Sequence, residues 1–340
     1  MLDSLAYLHG KPTARAAFKV VPEDFKVTEV LPFAPSGQGE HVFIQLQKRG
    51  ENTLWAANAL AKSLKVSPKV VSFTGLKDRQ GVTTQWFSIQ LPQSSKISLS
   101  SISLPSSLQV LQVSRHQKKL RRGTLKGNQF VITLKDVSSI DEMIKRLELI
   151  KEQGVPNYFG PQRFGHDGNN LAKAAQMFAG KRIKDREKRG LYLSAARSML
   201  FNQVASARVQ AHLQQSLILG DCVLLKGSHS FFVVDTIDET IQSRLASADI
   251  QISAPLFGDG QLPATDDARE FEQAQLAAYP EFCQGLSKAR LKQERRALMV
   301  VPEQLKWQII DTHTLQLEFF LPAGCYATSI IRELVNICPG

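Results

Sequence analysis

Asp78 is the residue whose type and setting come nearest to chemistry. It lies in Val70 to Ile89, VVSFTGLKDRQGVTTQWFSI, directly between Lys77 and Arg79. A β-type run (Val70, Val71, Phe73) breaks at Thr74-Gly75, and a second run, Thr83 to Ile89, leads away. This pattern predicts strand, loop, strand. A carboxylate flanked by cations keeps its charge. Held on a loop that two strands make rigid, it has what a nucleophile or general base requires. A turn aspartate accepting backbone N–H groups beside two solvated cations accounts for the same residues. The segment alone leaves both readings open.

A second candidate is the stretch Arg115 to Phe130, RHQKKLRRGTLKGNQF, the most basic of the chain. It carries Arg115, Lys118, Lys119, Arg121, Arg122 and Lys126 without an acid, then enters a strand over Phe130 to Leu134. A charge run is usually a solvated face. Here it ends in glycine, amide and aromatic (Gly127, Asn128, Phe130), and the whole chain is basic. Cations hold backbone phosphates, while an amide and a ring grip a base edge and a base face. The combination favours RNA contact. Lys181 to Arg189, with six basic and two acidic residues, suits a solvated turn or a phosphate contact.

The elements that must position these groups follow from patterning. Phe25, Val27 and Glu29 alternate with Lys26 and Thr28, which predicts a strand, and His41 to Leu46 predicts another. Asn52-Thr53 caps a helix with Leu54, Ala57, Ala61 and Leu64 on one face. Pro92 to Pro105 is Ser-rich and reads as a surface connection. Ser139 to Glu142 fits a capping box ahead of an apolar stripe of Ile140, Met143, Leu147 and Ile150, ending at Gly154. Helical patterns then dominate: Asn170 to Phe178, Leu193 to Leu213, Ala268 to Ala278 and Leu286 to Met299. A strand pair, Cys222 to Leu225 and Ser230 to Val234, interrupts them. Strands return at Lys306 to Ile310 and Leu315 to Leu321, followed by a loop and an apolar helix, Ile330 to Val335. Strand-rich ends around a helical middle suggest an insertion into a β-containing core.

The totals narrow the class. The chain has 340 residues, 43% of them hydrophobic, and a net charge of +11; the pI is near 9.5. That length suggests about two domains. The charge points to an anionic partner, nucleic acid first. Four scattered cysteines (Cys222, Cys283, Cys325, Cys338) with no CxxC pair argue against a zinc site or a disulfide scaffold. They read as reduced, mostly buried thiols of a cytoplasmic protein. Neither a signal-peptide pattern nor an apolar run long enough for a membrane span is present. A methyltransferase lacks its glycine-rich loop after a first strand, and no Ser/His/Asp set marks a hydrolase.

These residues also resemble a known family. YLHGKP at Tyr7, PEDFKVTE at Pro22, VSFTGLKDRQGVTTQW at Val71 and LKGNQF at Leu125 are similar to motifs of tRNA pseudouridine synthase D, the TruD family. GVPNYFGPQRFG at Gly154, LSAARSMLFNQ at Leu193 and LPAGCYATSIIREL at Leu321 extend the likeness essentially end to end. The resemblance implies an α+β fold. Its core would be the mixed, largely antiparallel sheet of pseudouridine synthases (residues 1–153 and 306–340), with an α/β TRUD domain inserted at 154–305.

It further implies that the partner is tRNA, with no cofactor, metal or membrane. The reaction would convert uridine 13 of the D-arm to pseudouridine. The oligomeric state stays open, with a monomer favoured. Asp78 matches the family's catalytic aspartate, and Phe25 and Asn128 match nucleotide-contacting positions. Tyr326 falls where the family often has phenylalanine, the ring that stacks on the flipped base. Lys19 matches an invariant-type lysine expected near the aspartate or a phosphate, and Phe130 is placed with the substrate-binding residues. The carboxylate has two routes, attack on the sugar or base, or removal of the 2′-proton to form a glycal. The rival class is an RNA-binding or tRNA-folding factor in which Asp78 is structural and the basic stretch carries the function.

Overall fold

The computed structural model describes residues 4–95 and 97–338. From the N-terminus come β1 (Arg15–Phe18), β2 (Phe25–Val30), β3 (His41–Arg49), α1 (Thr53–Ser63), β4 (Val71–Phe73), β5 (Val82–Gln90), β6 (Leu108–His116), β7 (Gly127–Lys135) and α2 (Ile140–Gln153). The middle supplies β8 (Val155–Pro156), α3 (Asn169–Phe178), α4 (Arg186–Gln210), β9 (Cys222–Leu225), β10 (Phe231–Val233), α5 (Glu239–Ala246), β11 (Ile250–Leu256), α6 (Asp266–Leu276), α7 (Pro280–Lys288), β12 (Glu294–Ala297) and β13 (Met299–Val300). The chain closes with β14 (Glu303–Asp311), β15 (Thr314–Pro322), α8 (Ala327–Leu334) and β16 (Asn336–Cys338).

Two compact units result. A sheet unit comprises Thr13–Lys145, Pro302–Gly324 and Val335–Gly340, and a helical unit comprises Met1–Pro12, Arg146–Val301 and Cys325–Leu334. The helical unit thus takes in residues 1–12 and 325–334 in addition to the middle of the chain.

The sheet unit is built on strands in the order β14-β15-β7-β2-β5-β3-β6, with β1 pairing β7 and β16, and β4 pairing β5. All pairs are antiparallel except β2–β5 and β1–β16. The fold is therefore α+β on a mixed, largely antiparallel sheet. Leu46, Phe87 and Ile89 pack against Ala56, Ala57 and Leu60 of α1. The buried face of α1 lies one position round from its expected stripe: Thr53, Ala56, Ala57, Leu60 and Ala61 face inward, while Leu54 is 55% exposed. Asn52 caps the helix as expected, its side chain accepting from the Trp55 N–H. At α2 Ser139 Oγ accepts from the Glu142 N–H at 3.3 Å, as the capping pattern requires, and the Glu142 carboxylate accepts from the N–H and hydroxyl of Thr13. Met143, Leu147 and Ile150 are buried as their spacing requires.

In the helical unit, α3, α4 and α7 pack together around Tyr158, Phe159, Phe164, Met199, Leu200 and Phe201. A four-stranded sheet, β10-β9-β11-β12, accompanies them. The helix expected over Leu286 to Met299 ends at Lys288; residues 294–297 and 299–300 are strands. Pairing of β12 with β11 and the buried ion pair of Arg295 with Glu272 at 2.6 Å override the helical propensity of that segment. The exposed Lys181 to Arg189 stretch leads into α4, with Asp185 as its N-cap. The four cysteines are free, and Cys338 is exposed rather than buried. No helix among the described residues is long and apolar enough to cross a membrane.

Candidate active site

Asp78 sits on the loop joining β4 to β5, which pair from Val71↔Ile89 to Phe73↔Phe87. Hydrogen bonds from several surrounding elements hold that loop. The Thr53 hydroxyl accepts from the Lys77 N–H at 2.9 Å and donates to Gln85 Oε1 at 2.9 Å. The Gln85 amide donates to the Gly75 carbonyl at 3.2 Å. Thr74 donates its hydroxyl to Glu29 Oε1 and accepts the Gly123 N–H at its carbonyl, 2.8 Å away. Arg79 Nε donates to the Gly50 carbonyl at 3.2 Å. At the end of the loop a Cβ on Gly81 would lie 2.6 Å from the Phe25 carbonyl oxygen, so only glycine lets the loop close against β2. This answers the rigidity expected of the segment.

Of the sequence neighbours of Asp78, Lys77 turns inward to the buried Glu29, 3.4 Å away, and Arg79 Nε turns to the Gly50 carbonyl. A cation from elsewhere in the chain meets the carboxylate: Lys19 Nζ lies 2.7 Å from Asp78 Oδ2. Lys19 holds a left-handed backbone conformation at φ +61°, which a non-glycine residue keeps only where its surroundings enforce it. Its ammonium lies over the Phe25 ring at 3.9 Å. Phe25 in turn meets Phe18 edge-on and Phe130 at 6.1 Å. The result is a carboxylate about a quarter exposed, with its counter-charge fixed on an aromatic floor. Such a group can attack an electrophilic carbon or accept a proton.

Two supports escaped sequence reading. Glu29 is 2% exposed, accepts from the Trp86 N–H at 2.7 Å, and has its carboxyl pushed up by burial against the opposing pull of Lys77. Lys48 is 1% exposed, and its ammonium donates to the Asp78 carbonyl at 3.1 Å and the Glu51 carbonyl at 2.8 Å. Burial pulls Lys48 down to about 8 from 10.5. The signal for both was phase. Glu29 continues the buried Phe25–Val27 face, and Lys48 continues Val42–Ile44–Leu46.

The Lys48 shift carries a pH dependence. Below about pH 8 folded and unfolded chains both hold the proton, and the fold bears the cost of a buried charge, roughly 3 kcal/mol. Between about pH 8 and 10.5 the unfolded chain keeps a proton that the folded chain has released, so this group makes stability rise with pH. Urea unfolding of wild type and Lys48→Met across that window is expected to show the rise in wild type alone. Parallel pH profiles would remove the assignment.

Of the remaining site residues, Phe130 is 6% exposed and stacks on Phe319 at 5.4 Å. It braces Phe25 from within the core and offers no open face. Asn128, on β7, keeps its Oδ1 buried without a hydrogen-bond partner among the described residues. Arg115 is spent on structure, donating to the Gly39, Pro92 and Ser95 carbonyls. Lys118, Lys119, Arg121, Arg122 and Lys126 are exposed. Their segment is anchored by buried Leu120, whose N–H donates to Ser88 Oγ, and by the Gly123–Thr74 hydrogen bond. Tyr326 belongs to the helical unit, where its hydroxyl accepts from Arg163 Nε at 3.0 Å. Among the described residues no three His, Cys, Asp or Glu converge as metal ligands.

The profile of the family described as tRNA pseudouridine synthase D (TruD) matches residues 1–183 and 169–334. This chain belongs to that family. It is an isomerase family, and its members resemble the chain along almost their whole length. The tRNA pseudouridine synthase D of Aeromonas hydrophila is 53% identical over 99% of the chain and 95% of its own length. That of Shewanella oneidensis is 49% identical over 98% and 90%. The crystal structure of a Methanosarcina mazei protein described as a tRNA pseudouridine synthase D shares the fold, with a TM-score of 0.73 at 23% identity, covering 97% of this chain and 95% of that one.

Proposed function

We propose that the protein converts uridine 13 in the D-arm of tRNA to pseudouridine, with Asp78 as the reacting carboxylate. The observation that carries this reading is the Lys19–Asp78 pair, 2.7 Å apart, with the Asp78 loop held by hydrogen bonds with Thr53, Gln85 and Lys48, in a chain of the TruD family. The reaction breaks the N1–C1′ bond, forms a C5–C1′ bond, moves a proton off C5 and returns one to N1. It requires a group that attacks the sugar or base, or one that takes the 2′-proton, and Asp78 suits either route.

The target base must leave its stack, which costs a few kcal/mol. The Asn128 amide, its oxygen without a hydrogen-bond partner among the described residues, suits a uracil edge. Lys118, Lys119, Arg121, Arg122 and Lys126 supply phosphate contacts, which makes binding salt-dependent. Arg115 is left out of that set. The test is tritium release from C5-labelled uridine in unmodified tRNA. One equivalent is expected from wild type, and none when position 13 is cytidine. Tight binding without release would return the reading to a tRNA-folding factor.

A further inference from the structure

Two guanidinium groups of the helical unit, those of Arg163 and Arg296, share one aromatic ring and have no carboxylate partner among the described residues. Arg163 and Arg296 both lie against the ring of Phe159, with Cζ 5.4 and 4.1 Å from its centroid. That ring is fixed, because the Asn202 side-chain amide bonds both the N–H and the carbonyl of Phe159. Arg163 donates through Nε to Tyr326 Oη at 3.0 Å and through Nη1 to Ser194 Oγ at 2.9 Å. Arg296 donates through Nε and Nη2 to the carbonyl and side-chain oxygens of Asn157. Every one of these acceptors is neutral. Arg163 Nη2 and Arg296 Nη1 have no hydrogen-bond partner among the described residues, and neither arginine forms an ion pair there.

The surroundings add donors and no negative charge. Tyr326 and Ser194, having accepted from Arg163, keep their own O–H groups to give. Thr328 Oγ1 is buried and has no hydrogen-bond partner among the described residues; it lies beside Gly160, where a Cβ would meet that oxygen and come within 3.3 Å of the Tyr326 ring. Thr328 stands in the first turn of α8, whose N-terminal N–H groups favour an anion. Cys325 sits close by, and burial pushes its thiol up, so it remains neutral. Burial without a counter-ion also pulls Arg296 down. Two half-buried cations, three hydroxyl donors and a helix N-terminus are a set complementary to a phosphate.

We infer that Arg163, Arg296, Ser194, Tyr326 and Thr328 form a phosphate site that takes a backbone phosphodiester of the RNA substrate. The inference rests on the reading that the partner is tRNA, and it is separable from Asp78 chemistry because it concerns binding alone. The site differs from the exposed lysines and arginines after Arg115, since its cations are half-buried and already oriented on an aromatic ring.

The experiment measures affinity for unmodified tRNA across a salt series, with wild type, Arg163→Gln, Arg163→Lys and Thr328→Val. Arg163→Gln is expected to weaken binding about tenfold and to reduce the slope of log affinity against log salt by about 1. Arg163→Lys should restore the slope, and Thr328→Val should weaken binding without changing it. Circular dichroism melts establish that each variant is folded. A second arm compares melting in inorganic phosphate and in chloride at matched ionic strength, where phosphate should stabilise wild type but not Arg163→Gln.

An unchanged affinity and slope in folded Arg163→Gln overturns the proposal. Phosphate stabilisation with no change in tRNA binding would make this a free-anion site and overturn the RNA assignment. Wild type that releases no tritium, beside an Arg163→Gln slope that falls, would sink the isomerase reading and leave the phosphate site standing.

Discussion

Asp78→Asn is expected to abolish tritium release, by more than about 10³-fold, while leaving tRNA affinity within about threefold of wild type. The amide fills the same volume but neither attacks nor accepts the proton that a carboxylate accepts. The loop should hold, because its anchors are elsewhere. Thr53, Gln85, Thr74 and Gly123 fix the peptide groups, and Lys48 bonds the Asp78 main-chain carbonyl, which the substitution keeps. Lys19 loses its counter-ion at a partly exposed position and retains the Phe25 ring beneath it. Release assays and filter binding on one preparation decide the matter. Turnover surviving in the variant would remove Asp78 from the chemistry. Joint loss of binding and folding would make it structural.

Glu29→Ala is expected to be the most damaging single change in the sheet unit, costing about 3–5 kcal/mol of folding free energy. Three donors converge on this carboxylate: the Thr74 hydroxyl, the Lys77 ammonium and the Trp86 N–H. Its removal leaves the Lys77 ammonium, 9% exposed, as an uncompensated buried charge, and strands the Trp86 N–H on a buried strand. Glu29→Gln keeps an acceptor and the volume, so about half that cost is expected. Denaturant midpoints at constant m-value measure both. A loss below about 1 kcal/mol for the alanine variant would show that water or a repacked partner replaces the carboxylate. Because Thr74 and Lys77 lead into the Asp78 turn, the surviving folded fraction should also turn over slowly.

Much of this arrangement was legible in local pattern. The period of two over Phe25 to Val30, the glycine-broken loop between two β-type runs, and the Met143–Leu147–Ile150 stripe are each decided by residues within a few positions of one another. The same holds for the N-cap at Asn52 and for the turn that places Asp78 at a loop tip. Motifs at Pro22, Val71, Gly154 and Leu321 carried the family as well. Glu29 and Lys48 escaped that reading, although both stand in phase with buried faces; the pattern alone does not say what satisfies them.

Only the folded chain decided the partners. Lys19 meets Asp78 across 59 residues because β2 pairs in parallel with β5, which brings the end of β1 to the β4–β5 loop. Lys77 turns to Glu29 because a buried carboxylate there demands a cation. Arg115 is drawn out of the basic face by three carbonyls on two separate loops. Glu294 to Ala297 becomes a strand because β11 offers it hydrogen bonds and Glu272 a buried ion pair. Local sequence determines which conformations are cheap and which residues belong inside. The matching of charges and unpaired backbone groups across long separations is settled only when the strands come together, since its energy resides in contacts that no short segment contains.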